Sequence, residues 1–130
     1  MGTLMTQLQK VIDAANRRDR EGFLNSLADD VEYKMHVNAR PFNSREWVAR
    51  FLDRHWETSR DSKWWVDRFT ENGNILMCEG AEEYVIAATG EKVSHSYMGV
   101  YEFGADGKIA KMREYFEMKD PRVTKPAPKP

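Results

Sequence analysis

The second half of the chain constrains its fold more than any other feature. Four segments between residues 62 and 118 alternate apolar and polar side chains with the period of a β-strand: 62–70, 74–87, 92–104 and 108–118. The short turn sequences ENG, ATGE and ADG separate them. Because turns this short join neighbouring antiparallel strands, the segments predict a meander of four long strands.

The first half of the chain is mainly helical in its spacing. Apolar residues at positions 4, 8, 11, 12 and 15 predict one helix, and Asp19 is placed to cap a short second one. Asn43, followed three residues later by Glu46, predicts the start of a third helix. Between the second and third helices, residues 31–37 alternate as a strand. Helices followed by a run of strands indicate an α+β fold.

Length and composition limit the class of protein. The 130 residues fit one domain, which we place at residues 1–120, with a Pro-rich extended or disordered tail at 121–130. A net charge of −1 with scattered Lys and Arg argues against a nucleic-acid or membrane partner. The single cysteine, Cys78, excludes an internal disulfide. No signal-like or membrane-spanning segment is visible, so we expect a cytoplasmic protein.

The last predicted strand carries a carboxylate on an apolar face. In KMREYFEM, residues 111–118, alternation places Glu114 on the same side as Met112, Phe116 and Met118. Burying a carboxylate is costly unless it is paired or used. Glu114 is therefore the first candidate for a functional residue.

Six short stretches resemble one protein family. They are ADDVEY (28–33), NSREWV (43–48), ATG (88–90), MGVYEF (98–103), DGKI (106–109) and REYF (113–116). These stretches are similar to the SnoaL-like branch of the nuclear-transport-factor-2-like superfamily, and within it to limonene-1,2-epoxide hydrolases. The resemblance implies a cone-shaped, curved antiparallel or mixed sheet wrapped by about three helices from the N-terminal half, a cystatin-like α+β barrel with a deep pocket.

The same resemblance implies site residues. The tyrosine of the epoxide hydrolases falls on Tyr33, and their two aspartates fall on Glu82 and Glu114. Their asparagine falls on Met35 and their bridging arginine on Gly80, so both of these are replaced. Because the arginine that joins the two carboxylates is missing, we favour isomerase or cyclase chemistry over epoxide opening.

Strand alternation gathers these positions into a candidate pocket when the inward face of each strand is taken as the one that the resemblance implies. The predicted catalytic residues are Glu114 and Glu82 as an acid/base pair, His95 as their partner, and Tyr33 as a hydrogen-bond donor. The predicted substrate-binding residues are Met35, Tyr84, Tyr97, Met112 and Phe116. A one-residue bulge would turn Glu83 inward in place of Glu82, and the sequence leaves both arrangements open.

The histidines do not form a metal site in the sequence. His36, His55 and His95 show no metal-ligand spacing, so we predict no metal and no cofactor. His36 is expected at the surface. His55 closes the apolar stripe of the third helix and is expected to have a structural role.

These features together predict a cofactor-independent acid/base enzyme acting on a small apolar metabolite of terpenoid, polyketide or aromatic type. The alternative is a non-catalytic module of the same fold that binds a small molecule or only dimerises. Trp64 and Trp65 are adjacent in a strand, so one of them faces outward. An exposed aromatic sheet face is typical of an interface, which predicts a homodimer through the sheet.

Overall fold

The computed structural model describes residues 3–35 and 40–116, which form three helices and five strands. The elements in chain order are α1 (Thr3–Asn16), α2 (Arg20–Asn25), β1 (Leu27–Met35), α3 (Arg45–Thr58), β2 (Ser59–Asn72), β3 (Ile75–Ile86), β4 (Lys92–Phe103) and β5 (Ile109–Tyr115). The four predicted meander segments are β2 to β5. His36, the end of the predicted last strand and the Pro-rich tail lie outside the described residues.

The five strands form one curved, mixed sheet in the order β1-β5-β4-β3-β2. Strands β2 to β5 pair as an antiparallel meander, whereas β1 pairs in parallel with β5. The sheet stays open, with β1 and β2 as its two edges. This architecture confirms the predicted α+β fold with about three helices in the N-terminal half. None of the described helices is long and apolar enough to cross a membrane.

The helix starts follow local capping chemistry. Asp19 caps α2 as predicted, because its Oδ1 accepts a hydrogen bond from the Gly22 amide at 2.9 Å. The predicted cap of α3 is wrong by one residue: Ser44, not Asn43, has the extended backbone of a cap, and its hydroxyl accepts from the Trp47 amide. Ser and Asn have similar capping preferences, so neighbouring positions compete.

Helix α1 is fixed to the edge strand β2 at both of its ends. At its start, the Glu71 carboxylate accepts hydrogen bonds from the amides of Leu4 and Met5, both at 3.2 Å. At its end, the Asn16 side chain pairs with the Trp64 backbone, donating to the carbonyl at 2.9 Å and accepting from the amide at 2.8 Å. These contacts satisfy polar groups that a helix end and a sheet edge otherwise leave to water.

The core lies between the helices and the inner face of the sheet. Burial alternates along β4, where Tyr97, Gly99, Tyr101 and Phe103 are buried and the intervening positions are more exposed. The buried side chains of the helices complete the core: Met5, Leu8, Val11, Ile12, Ala14, Phe23, Leu24, Val48, Ala49 and Leu52.

Gly80 marks the closest approach of backbone and side chain in the sheet. A β-carbon at this position would lie 2.0 Å from the carbonyl oxygen of Trp65 and 2.8 Å from the Tyr97 hydroxyl. The carbonyl belongs to the backbone and cannot swing away. Residue 80 must therefore be glycine for β2 and the Tyr97 ring to keep their places.

We expect Gly80→Ala to destabilise the protein by about 1–3 kcal/mol, because the added methyl group forces backbone movement in a packed sheet. Urea unfolding measures the change. Ser96→Ala, on the exposed face of β4, is the control and should stay within about 0.5 kcal/mol of the wild type. Equal stability of the two variants would contradict the packing described for Gly80.

Candidate active site

A cavity lies between the inner face of the sheet and helices α1 and α3. Its volume is about 80 Å³, and its walls are mostly apolar and aromatic. The ionisable residues that line it are Tyr33, His55, Lys63, Glu82 and Glu114. Convergence of a few polar groups in an apolar cavity is typical of small-molecule sites.

Glu114 lies at the floor of the cavity and is held by two phenols. Only 7% of the residue is exposed. The Tyr33 hydroxyl donates to Oε1 at 2.5 Å, and the Tyr101 hydroxyl donates to Oε2 at 2.7 Å. Each carboxylate oxygen thus has its own donor, which offsets part of the cost of burial.

The register of three neighbouring strands brings these groups together. On β5, Glu114 pairs with Met35 of β1 on one side and with Gly99 of β4 on the other. Tyr33 and Tyr101 lie two residues away on those strands and therefore on the same face as Glu114. A β-carbon at Gly99 would lie 2.6 Å from the Tyr101 ring. The glycine leaves room for this ring to lean back toward the carboxylate.

Burial dominates the electrostatics of the cavity floor. It raises the pKa of Glu114, while the hydrogen bonds from Tyr33 and Tyr101 lower that pKa in part. Burial also holds the pKa of both phenols well above the ordinary tyrosine value, and the Glu114 charge adds to the shift. Both phenols therefore remain protonated donors at neutral pH.

Glu82 is the second carboxylate of the cavity, and it has a different environment. It lies on β3 and lines the cavity, whereas Glu83 is within 3.5 Å of Lys92 Nζ. Of the two arrangements that the sequence leaves open, the structure has Glu82 inward. Burial, with a smaller contribution from the Glu114 charge, raises the pKa of Glu82 to about 7.

His55 also lines the cavity, which the sequence analysis did not predict. Its Nε2 lies 3.7 Å from Glu82 Oε1. The ring stacks on Phe51 with centroids 6.0 Å apart and meets Tyr84 edge-on at 4.7 Å. Burial lowers the pKa of His55, and the charge of Arg18 adds to that effect. The sequence signal was partial: His55 continues the apolar stripe that faces the sheet, and this stripe does not distinguish a cavity position from a core position.

The structure places the predicted His95 elsewhere. It pairs with Glu82 across β3 and β4, but its ring stacks on Phe116 with centroids 4.5 Å apart. Among the described residues, its Nδ1 is the buried side-chain nitrogen that lacks a hydrogen-bond partner. His95 and Phe116 are not among the residues that line the cavity.

Of the other predicted pocket residues, one lines the cavity and three lie outside its lining. Met112 lines the cavity beside Glu114, whereas Met35, Tyr84 and Tyr97 lie outside its lining. Tyr97 supports the wall: its hydroxyl accepts from Trp64 Nε1 at 2.6 Å and donates to the Trp65 carbonyl at 3.1 Å. The site thus gathers Tyr33, Glu82, Glu114 and Met112 from the predicted set, and adds Tyr101 and His55.

No cation replaces the arginine that the resemblance leads one to expect. In the described part of the chain, no Arg or Lys nitrogen lies within 4.0 Å of a Glu82 or Glu114 oxygen. Gly80 occupies the arginine position and has no space for a side chain. Nor do residues 3–35 and 40–116 contain a group of three His, Cys, Asp or Glu residues that could hold a metal ion.

Comparisons with known proteins agree with this geometry. Residues 8–112 match the family model described as SnoaL-like domain. A candidate polyketide cyclase from Xanthomonas campestris pv. campestris is similar in structure, with TM-score 0.78, 22% identity, and coverage of 88% of this chain and 90% of that one. An epoxide hydrolase of M. tuberculosis described as LEH-like has TM-score 0.77 and 21% identity, with coverage of 88% and 82%.

A third solved structure is an NTF2-like protein of unknown function from Burkholderia pseudomallei. Its TM-score is 0.78 at 19% identity, with coverage of 90% of this chain and 92% of that one. Identities at this level show a shared fold and leave the reaction undetermined. Comparison with functionally curated proteins gives no significant match.

The raised pKa of Glu82 predicts a pH-dependent stability. The folded protein binds this proton more tightly than the unfolded chain, so the stabilisation is present below the ordinary value of 4.5 and is lost as pH rises to about 7. Between pH 4.5 and 8 we expect wild type to lose about 2–3 kcal/mol more than Glu82→Gln, measured by urea unfolding. Glu83→Gln is the control and should follow wild type. Identical pH profiles of all three proteins would show that Glu82 has no raised pKa.

Proposed function

The chain belongs to the SnoaL-like domain family, and on that basis we propose that it is a cofactor-independent enzyme that moves protons on a small, largely apolar molecule. The carrying observation is that one apolar cavity holds two carboxylates in unlike environments. Glu114 is buried and bound by two phenols, and Glu82 has a pKa of about 7. Carboxylates whose environments differ in this way can take separate acid and base roles.

Glu82 is the proposed general base and acid. A pKa of about 7 leaves it partly protonated at neutral pH, so it can both take and return a substrate proton.

Glu114 and Tyr33 form the proposed second proton site. Tyr33 lines the cavity, so its hydroxyl can donate its hydrogen to a substrate oxygen while its oxygen accepts the proton of Glu114. Tyr101 holds the other carboxyl oxygen in place.

The missing arginine favours isomerase or cyclase chemistry over epoxide opening. Because no Arg or Lys nitrogen of the described residues lies within 4.0 Å of either carboxylate, the site is suited to shuttling a proton through neutral donors rather than to stabilising a released alkoxide. The cavity of about 80 Å³ is smaller than the roughly 300–1,000 Å³ of typical ligand sites. We therefore expect a small terpenoid, polyketide or aromatic-like substrate whose entry displaces wall side chains.

The same small volume supports one alternative, a binding or dimerisation module of this fold without catalysis. Trp64, Trp56 and Met112 occupy part of the space that a substrate would need. In that case the paired phenols would serve only to keep Glu114 buried. Turnover measurements separate the two functions.

We expect Glu82→Gln and Glu114→Gln each to lower kcat/KM by about 10²–10⁴-fold, because each removes a proton-transfer group. The measurement is product analysis with a panel of small terpenoid epoxides, β,γ-unsaturated ketones and polyketide-like aromatics. Glu83→Gln is the matched control, since this carboxylate pairs with Lys92 instead of lining the cavity. Full turnover in both cavity variants would exclude the proposed roles, and ligand binding without turnover would favour the alternative function.

We also propose that the protein forms a homodimer through the outer face of the sheet. Trp65, Met77 and Met98 are 36%, 39% and 45% exposed, and the strand register puts them on that face. Arg68 and Glu79, 3.6 Å apart, lie in the same patch. A two-fold axis through this patch would bury the apolar side chains and let the ion pairs exchange partners.

Met77→Lys combined with Met98→Lys should convert a dimer into a monomer, because two lysines per chain would have to be desolvated at the interface. Light scattering after size-exclusion chromatography measures the mass. Lys10→Met, an exposed position on α1 and not on the sheet, is the control and should leave the mass unchanged. A monomeric wild-type protein at high micromolar concentration would rule out the proposed dimer.

A further inference from the structure

We propose that His55 is a further catalytic residue and that it shares the transferable proton with Glu82, so that the pair acts as the base of the site. This inference rests on the proposed proton-transfer function and deepens it. A relay between two groups that both face the cavity allows a proton to leave one substrate atom and return to another. The reaction class that needs such a relay is the isomerisation of an enolisable or allylic substrate.

The geometry of the pair supports a shared proton. His55 and Glu82 come from α3 and β3, and both line the cavity. Their nearest atoms, Nε2 and Oε1, lie 3.7 Å apart. This distance exceeds a hydrogen bond by roughly 0.8 Å, which a rotation of the flexible Glu82 side chain can close. The carboxylate can thus reach the imidazole from a position facing a substrate.

The imidazole of His55 is held by its neighbours. Phe51 lies parallel to its ring at an interplanar angle of 6°, and Tyr84 meets it at 85°. The end of α3 is fixed as well, since the Arg18 guanidinium donates to the Trp56 carbonyl at 2.8 Å and to the Ser59 carbonyl at 2.9 Å. A ring fixed in this way presents Nε2 to the Glu82 carboxyl in one orientation.

Burial favours the neutral form of both groups. It raises the pKa of Glu82 to about 7 and lowers that of His55 below its ordinary value of 6.5. With one proton bound, the pair is therefore neutral, with the proton on the Glu82 carboxyl beside the imidazole. The titratable and charged groups that the described residues bring to the pair are Arg18, Tyr33, Lys63, Tyr84, His95 and Glu114.

The relay balances in protons and charge. Glu82, as carboxylate, takes a proton from a substrate carbon, and the electron pair of the broken bond stays on the substrate. The proton passes from the Glu82 carboxyl to His55 Nε2, which regenerates the carboxylate and gives an imidazolium. The imidazolium then returns the proton to a second atom of the substrate, leaving both side chains as they began.

Titration by NMR of the free protein tests the shared proton without a substrate. The readouts are the ¹³Cδ resonance of Glu82 and the ring ¹⁵N resonances of His55. In wild type we expect both groups to respond at two common midpoints, because a shared proton makes the titration a property of the pair. In His55→Gln, Glu82 should show one midpoint, and in Glu82→Gln, His55 should show one.

His95→Gln is the matched control, since His95 is the strand partner of Glu82 but stacks on Phe116 outside the cavity lining. In this variant both groups should still respond at common midpoints, and only the midpoint values should move, because the His95 charge contributes to the lowered pKa of His55. Circular dichroism and thermal melting establish that each variant is folded, and the two reciprocal variants keep the test valid if one of them is not. Independent single midpoints in wild type, unchanged in either variant, would overturn the inference.

The NMR titration tests the shared proton separately from the turnover measurements, which test the proposed function. Common midpoints support the shared proton whatever the substrate panel shows, and independent midpoints overturn it even if turnover depends on Glu82. With any substrate that is turned over, His55→Gln should lower kcat by about 10²-fold with KM within about threefold. A purely structural His55 would leave kcat unchanged in a folded variant.

Discussion

The binding of Glu114 by two phenols is the interaction on which the site depends. A carboxylate with 7% exposure would be expensive to keep in an apolar core, and the Tyr33 and Tyr101 hydroxyls give each of its oxygens a donor. The two phenols come from the strands on either side of β5, so the bonds require the parallel β1–β5 pairing and the antiparallel β4–β5 pairing at once. They also require Gly99, which leaves room for the Tyr101 ring. Satisfying one charge thus fixes the register of three strands.

Within residues 3–35 and 40–116, the lack of an arginine beside the two carboxylates and the need for glycine at position 80 have the same origin. The Trp65 carbonyl and the Tyr97 hydroxyl fill the space beside Gly80, and Tyr97 in turn holds Trp64 in the cavity wall. An arginine at this position would have to displace backbone. The chain therefore holds its buried charge with neutral donors, which leaves Glu114 with a pKa above its ordinary range and Glu82 near neutrality. Proton exchange, rather than charge neutralisation, is the chemistry that such a site favours.

Strand alternation leaves only two choices of face per strand. The apolar neighbours of Glu114 and the family resemblance then chose the face that carries Glu114, Tyr33 and Met112. Alternation could not identify Tyr101 as a partner of Glu114, since that contact depends on a ring leaning over a glycine. It could not place His55 either, because the end of a helix stripe reaches a cavity or the core according to how the helix crosses the sheet. The sequence also did not predict the role of Glu71, which caps the start of α1. Glu71 lies 66 residues along the chain from Met5, whereas capping patterns in a sequence involve neighbouring residues. The sequence thus predicts which face of a strand a side chain occupies. Contacts between residues that are not direct strand partners, or that lie far apart along the chain, can be seen only in the packed structure.

The two attachments of α1 to β2 decide where the molecule can move. Glu71 holds the first turn of α1 and Asn16 holds its last residue, both to the same strand, so helix and strand form one rigid wall of the cavity. The facing wall, α3, is tied at its C-terminal end by Arg18. Ion pairs also join α3 to its neighbours, Arg45 to Asp29 of β1 and Asp53 to Arg20 of α2. Because both walls are held at several points, room for a substrate has to come from rotation of side chains that line the cavity, such as Phe51, and not from displacement of a helix.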